Sequence, residues 1–145
     1  MGREIKCRGR RLDNSEWVYG YFCLSINGKT LIIPAVEYCN YRLWDGENPA
    51  EAFEVIPDTV GQFTGLCDKN GVDIFDGNAV DGSYINPMTG EAIKRIYSVV
   101  FENGCYIARL IGKSPYGDTQ LYFVNEKCEV IGNIYDNPEF LEVER

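Results

Sequence analysis

Polar and apolar residues alternate with a β-like period along most of this chain. Residues 3–10 alternate charged and neutral side chains, residues 12–16 ("LDNSE") supply a polar turn, and 17–26 follow as a run of aromatic and branched residues. Runs of this kind, bounded by turn residues, predict strands. Asn27-Gly28 closes a turn into a run over 30–33, which Pro34 ends because it has no N–H to give to a ladder. After residue 64 the same grammar returns. Asn103-Gly104 is the sharpest local signal, since a two-residue type I′ turn needs positive φ at both central positions. Centring the loop there pairs Phe101 with Tyr106, Val100 with Ile107 and Val99 with Ala108. Gly104→Val is expected to strain that turn, and the same change at Gly117, in a longer loop, to be tolerated better. A second hairpin is predicted from 121–125 through Glu126-Lys127 to 128–134, with a polar loop over 112–120 between the two.

Two stretches depart from the alternation. Between residues 37 and 58 acidic side chains face only Arg42, and "NPAEAFEV" (48–55) has Asn, Pro and Glu placed as at a helix start. "DNPEFLEV" (136–143) repeats that arrangement and predicts a short terminal turn. The fold class that follows is mainly β: an N-terminal β-hairpin region over 1–64, with an acidic, irregular or short-helical segment at 35–55, and a small barrel or roll over 65–145. One or two short helices complete it, and an α+β arrangement is the alternative.

Candidate chemistry concentrates in "GLCDKNGVDIFDGNAV" (65–80). A calcium-binding EF-hand loop starting at Asp68 fails at Val72, Asp73 and Ala79, where ligands or glycine are required. Asp68-Lys69-Asn70-Gly71 reads instead as a turn, in which Asp accepts backbone hydrogen bonds and Asn-Gly tolerates left-handed φ. Val72 and Ile74 then fall on one strand face, Asp73 and Phe75 on the other, and Asp76-Gly77 begins the next bend.

Composition narrows the function classes. The chain has 145 residues and no histidine, so the usual base for a serine or cysteine nucleophile is missing. Its six cysteines, at 7, 23, 39, 67, 105 and 128, form no C-x-x-C pair, which argues against zinc and against a disulfide framework. No cofactor, no metal and no catalytic residue is expected, and the protein is read as not an enzyme. The net charge is −8, yet residues 1–11 carry Arg3, Lys6, Arg8, Arg10 and Arg11 against Glu4. Overall acidity opposes phosphate binding, so nucleic acid is not the expected partner. The basic end reads first as a solvated edge strand, and those five cations are the residues that would touch nucleic acid under the alternative reading. No apolar run reaches the ~20 residues of a membrane span, and the charged start, with no apolar stretch, does not read as a secretory signal, so a cytoplasmic location is expected.

Three blocks carry a resemblance. "REIKCRGRRLDNSEWVYGYF" (3–22), "TVGQFTGLCDKNGVDIFDGNAV" (59–80) and "EVIGNIYDNPEFLE" (129–142) together resemble the YopX family of phage and prophage proteins. Asn78 departs from the family pattern, which usually has Asp there; a charge-dependent role would be lost, while an Asx-turn role would survive. The resemblance implies a phage or prophage origin, a host-cytoplasm location, a C-terminal domain similar to SH3-type barrels, and no established enzymatic activity or cofactor. The expected function is thus a phage accessory protein that binds a host or phage protein without catalysis, alone or as a homo-oligomer. Tyr41 and Trp44 in the acidic segment and Tyr116 in the 112–120 loop are the candidate partner contacts. A nucleic-acid-binding small barrel and an enzyme of unknown type are the alternatives.

Overall fold

The alternating segments fold as strands. The computed structural model describes residues 6–34, 52–112 and 117–141, and its chain contacts divide it into two units, Met1–Phe63 and Thr64–Arg145. The architecture is mainly β.

In the first unit β1 (Cys7–Arg10), β2 (Trp17–Leu24), β3 (Thr30–Pro34), β4 (Phe53–Glu54) and the start of β5 (Gly61–Cys67) form an antiparallel sheet in the order β4-β3-β2-β1-β5. Register pairs Arg8 with Tyr19, Arg10 with Trp17 and Tyr21 with Ile33. Ile32 and Val55 are fully buried, and Phe63 nearly so. The basic strand β1 therefore lies inside the sheet, between β2 and β5, and not at an edge as its charge suggested. Residues 48–51 of the expected helix start lie outside the described residues. Phe53 and Glu54 are extended, because Phe53 pairs with Ile32 and Val55 bridges Arg11. Sheet partners outweigh one N-cap signal there. A 3₁₀ turn over Pro57–Thr59 follows, and the Thr59 hydroxyl accepts the Arg10 N–H at 2.9 Å.

In the second unit β6 (Asp73–Phe75) lies beside β5. Strands β7 (Asn78–Asp81), β10 (Ile96–Glu102), β11 (Cys105–Leu110), β12 (Thr119–Gln120) and β13 (Glu129–Asn133) form a sheet ordered β12-β11-β10-β7-β13, and β8 (Tyr84–Ile85) pairs with β9 (Ala92–Ile93). The β10–β11 hairpin has the expected register, including Phe101 opposite Tyr106. Asn103 and Gly104 have φ of 53° and 83°, the left-handed pair that a I′ turn demands. The core of this unit is Ile74, Val80, Tyr97, Val99, Ala108, Leu121 and Cys128.

The predicted second hairpin is absent as such: residues 121–124 form a one-turn helix, α1 (Leu121–Val124), followed by a 3₁₀ turn over Asn125–Lys127. Leu121, Val124 and Asn125 face inward while Tyr122 and Phe123 are exposed, which is a helical spacing of three and four rather than two. The β-forming rings of Tyr122 and Phe123 concealed it. With a helical turn where a strand was expected, the sheet stays open, ending at β12 and β13, and does not close into a barrel. Phe75 also departs from the expected alternation, since it is buried along with Ile74.

Candidate functional site

The cations of the N-terminal strand are stacked on rings. Arg8 and Arg10 project from the same face of β1, two residues apart, and both guanidinium groups lie over Trp17 of β2, at 4.6 and 5.2 Å from its centroid. Arg11 lies 4.0 Å over Phe53, and Lys6 lies 4.8 Å over Phe63. Cross-strand register brings these partners together, since Trp17 is the pairing neighbour of Arg10. Arg8 is only 5% exposed. These four side chains therefore act in the packing of the first unit. Arg3, Tyr41, Trp44 and Tyr116 lie outside the described residues.

The stretch 65–80 is architectural. The Asp68 carboxylate is buried, with one oxygen accepting the N–H groups of Asn70 and Val72 at 2.8 and 2.9 Å and the other accepting that of Val130 at 2.8 Å. Burial alone would push this carboxyl up, but the three donors and Lys69 outweigh it and hold the group below the usual carboxylate range. Asn78 has the complementary requirement. Its side-chain oxygen accepts the Phe75 N–H at 2.7 Å, and its amide nitrogen donates to the Gly132 carbonyl at 3.0 Å. A carboxylate suits the first position and an amide the second, because only an amide both accepts and donates. Asn78 makes no Asx-turn, since its oxygen accepts from the residue three before it and not from one two after; it bridges the bend at Asp76-Gly77 to Gly132 instead. Among the described residues no group of three or more potential metal ligands converges.

A cavity of about 530 Å³ opens in the second unit. Its floor is apolar: Tyr97 from β10, Val124 from α1 and Cys128, which precedes β13. Its rim is polar and basic, with Ser83, Tyr84, Arg95 and Lys127. The ladder that builds it is regular. Val80 opposes both Tyr97 and Val130, and the pairing continues past the strand ends as the Gly82 N–H donates to the Arg95 carbonyl at 2.7 Å. The Arg95 N–H in turn donates to the Ser83 hydroxyl at 3.0 Å. Alternation then puts Gly82, Arg95 and Cys128 on the side of buried Val80, and directs Asp81 and its cross-strand partner Glu129 to the other side. Gly82 packs directly against the floor, where a Cβ would come within 3.0 Å of the Cys128 sulfur and 3.1 Å of the Tyr97 ring, so a larger residue needs its neighbours to shift.

Chemically the cavity is suited to binding. Burial, reinforced by the Asp81 carboxylate, pushes the Cys128 thiol up to about 11, so it is protonated and a poor nucleophile near neutral pH. The Ser83 hydroxyl and N–H beside Asp81 hold that carboxyl low, which makes it a weak base. Lys69, Lys94, Arg95 and Lys127 gather around this part of an acidic unit, Lys69 through its N–H to the Cys128 carbonyl and, with Lys94, through its field at Asp81. Arg109 stands elsewhere, paired to Glu102 and, at 3.8 Å, to Asp118. None of the cavity residues was singled out by sequence pattern. Lys94-Arg95 beside an apolar alternating run is the one available signal, and it acquires meaning only when residues 121–128 are folded against it.

The model of the YopX protein family matches residues 11–142. Among solved structures, the crystal structure of protein EF1440 from Enterococcus faecalis is similar, with 22% sequence identity and a TM-score of 0.56 over 96% of this chain and 99% of that chain. At that identity the likeness concerns the fold alone. No curated protein matches the chain. Among the described residues no helix is long and apolar enough to cross a membrane.

Proposed function

The chain belongs to the YopX protein family, and we propose that it works as a non-catalytic binding module whose ligand enters the cavity of the second unit. One observation carries this reading: the cavity has a volume typical of ligand sites, with an apolar floor and a few convergent polar groups, but its one thiol is held protonated. The carboxylates nearest to it, at Asp68 and Asp81, are committed to backbone donors. The phage or prophage origin, the host-cytoplasm location and a host or phage protein partner rest on the resemblance of the three sequence blocks. The nucleic-acid reading loses support, because its proposed contacts Arg8, Arg10 and Arg11 lie over rings within their own unit.

The test is a fragment and metabolite screen on the full chain, followed by amide NMR. Ligands should perturb Ser83, Arg95 and Lys127 and be recovered unchanged after long incubation. Turnover of any bound compound, or perturbations that all avoid these residues, would reject the reading.

A further inference from the structure

The binding reading leaves the ligand's chemistry open, and the lining of the cavity narrows it. Tyr97 and Tyr84 are the aromatic residues of its lining, while Arg95 and Lys127 stand at the rim on different elements. Among the described residues neither cation is held in an ion pair. The nearby acids Asp81 and Glu129 are directed by strand alternation to the other side of the sheet, and Asp68 is enclosed by backbone donors. Two cations converging from separate elements match a group with two negative charges better than a single hydroxyl or amide. Lys69, whose field also reaches the Cys128 sulfur, adds to the positive potential around the opening. A flat ring gains stacking and apolar contact on a tyrosine floor.

We propose, resting on the binding role above, that the cavity holds a planar aromatic ring carrying a phosphate, with the ring against Tyr97 and the phosphate between Arg95 and Lys127. This is the chemistry of a nucleotide, whether free or at a 5′-phosphorylated nucleic-acid end.

The experiment measures binding of adenosine 5′-monophosphate, adenosine, inorganic phosphate, indole and a 5′-phosphorylated oligothymidylate to the full chain at two salt concentrations. The monophosphate should bind at least tenfold more tightly than adenosine and lose that advantage at high salt. Arg95→Gln and Lys127→Gln should each weaken the monophosphate about tenfold and leave indole unchanged. Lys127 is exposed, so its variant keeps the test valid even if Arg95→Gln fails to fold. Preference for the monophosphate over the oligonucleotide assigns the site to a free nucleotide, and the reverse preference to a nucleic-acid end. Equal affinity for adenosine and its monophosphate, or no effect of Lys127→Gln, would overturn the proposal while leaving the binding role intact. Absence of indole and of every nucleotide from the cavity would also overturn the proposal, and the fragment screen above then decides the binding role separately.

Discussion

The two units of this chain, both β-built, are held together by different chemistry. The second unit buries a contiguous apolar set, from Ile74 and Val80 through Val99 to Leu121, and pins its turns with buried Asp68 and Asn78. Among the described residues, the first unit has few fully buried apolar side chains, Ile32 and Val55 foremost, and adds a row of cations laid over Trp17, Phe53 and Phe63. A short sheet with little apolar area can still gain from long basic side chains, whose stems bury apolar surface while the charged ends meet ring faces. A basic stretch can thus be a packing element. Its charge pattern alone does not distinguish that from a binding arm.

One of the two largest effects is expected in the second unit. Asp68→Ala leaves three backbone N–H groups without their acceptor, of which those of exposed Asn70 and Val72 can turn to water, and should cost about 3 kcal/mol, the upper end for one buried unsatisfied group. Urea melts should show the loss, and hydrogen exchange should show it first at Asn70, Val72 and Val130. The pH dependence gives a second reading. The folded-state pKa of Asp68 is lowered, so its contribution is present above the unfolded value of about 3.9 and is lost as pH falls from there through the folded value. The variant should therefore have a shallower acid limb than the parent, and an identical limb would mean that the carboxylate does not pin the turn.

Trp17→Leu is the counterpart in the first unit. Losing the ring beneath Arg8 and Arg10 should cost about 3 kcal/mol, from two stacks of roughly 1–2 kcal/mol each at partly desolvated sites. Exchange protection should fall in β1 and β2. A loss below about 1 kcal/mol would remove cation stacking as the device that distinguishes this unit.

Asn78→Asp introduces the residue usual in the family pattern. It sets a carboxylate oxygen against the Gly132 carbonyl, and should cost about 2 kcal/mol for a hydrogen bond replaced by repulsion. The penalty should shrink as the new carboxyl is protonated at low pH. A variant as stable as the parent at pH 7 would show that β13 can shift to relieve the contact.

The smallest effects concern two glycines. Gly104→Val should cost about 1–2 kcal/mol through its positive φ, although the space around it is open. Gly117 was expected to tolerate the change better as a loop residue, but a Cβ there would lie 2.0 Å from the Leu110 Cδ2 atom and 2.8 Å from its Cβ. Overpacking of this kind costs about 1–3 kcal/mol, so Gly117→Val should be no milder than Gly104→Val. Thermal melts of the pair decide the order.

Sequence by itself determined the features that depend on neighbours along the chain. The I′ turn at Asn103-Gly104 follows from φ preferences alone, and it carries the register of Phe101 and Tyr106 with it. The Asp68 turn was legible because an Asp two and four residues before N–H donors closes on its own backbone. The mainly β class followed from period and composition. Tertiary structure decided whatever required a distant partner. Burial of Arg8 depends on β2 and β5 flanking β1. The helical turn at 121–124 depends on Leu121, Val124 and Asn125 finding inward contacts that the β-forming rings beside them do not need, and Asn125 reaches the Cys67 carbonyl to do so. The cavity is the extreme case: Gly82, Arg95, Val124 and Cys128 meet only because β7 pairs with both β10 and β13. Local steric preferences act within a few residues and can be read in order, whereas the field and shape of a site are set by groups that chain order leaves far apart.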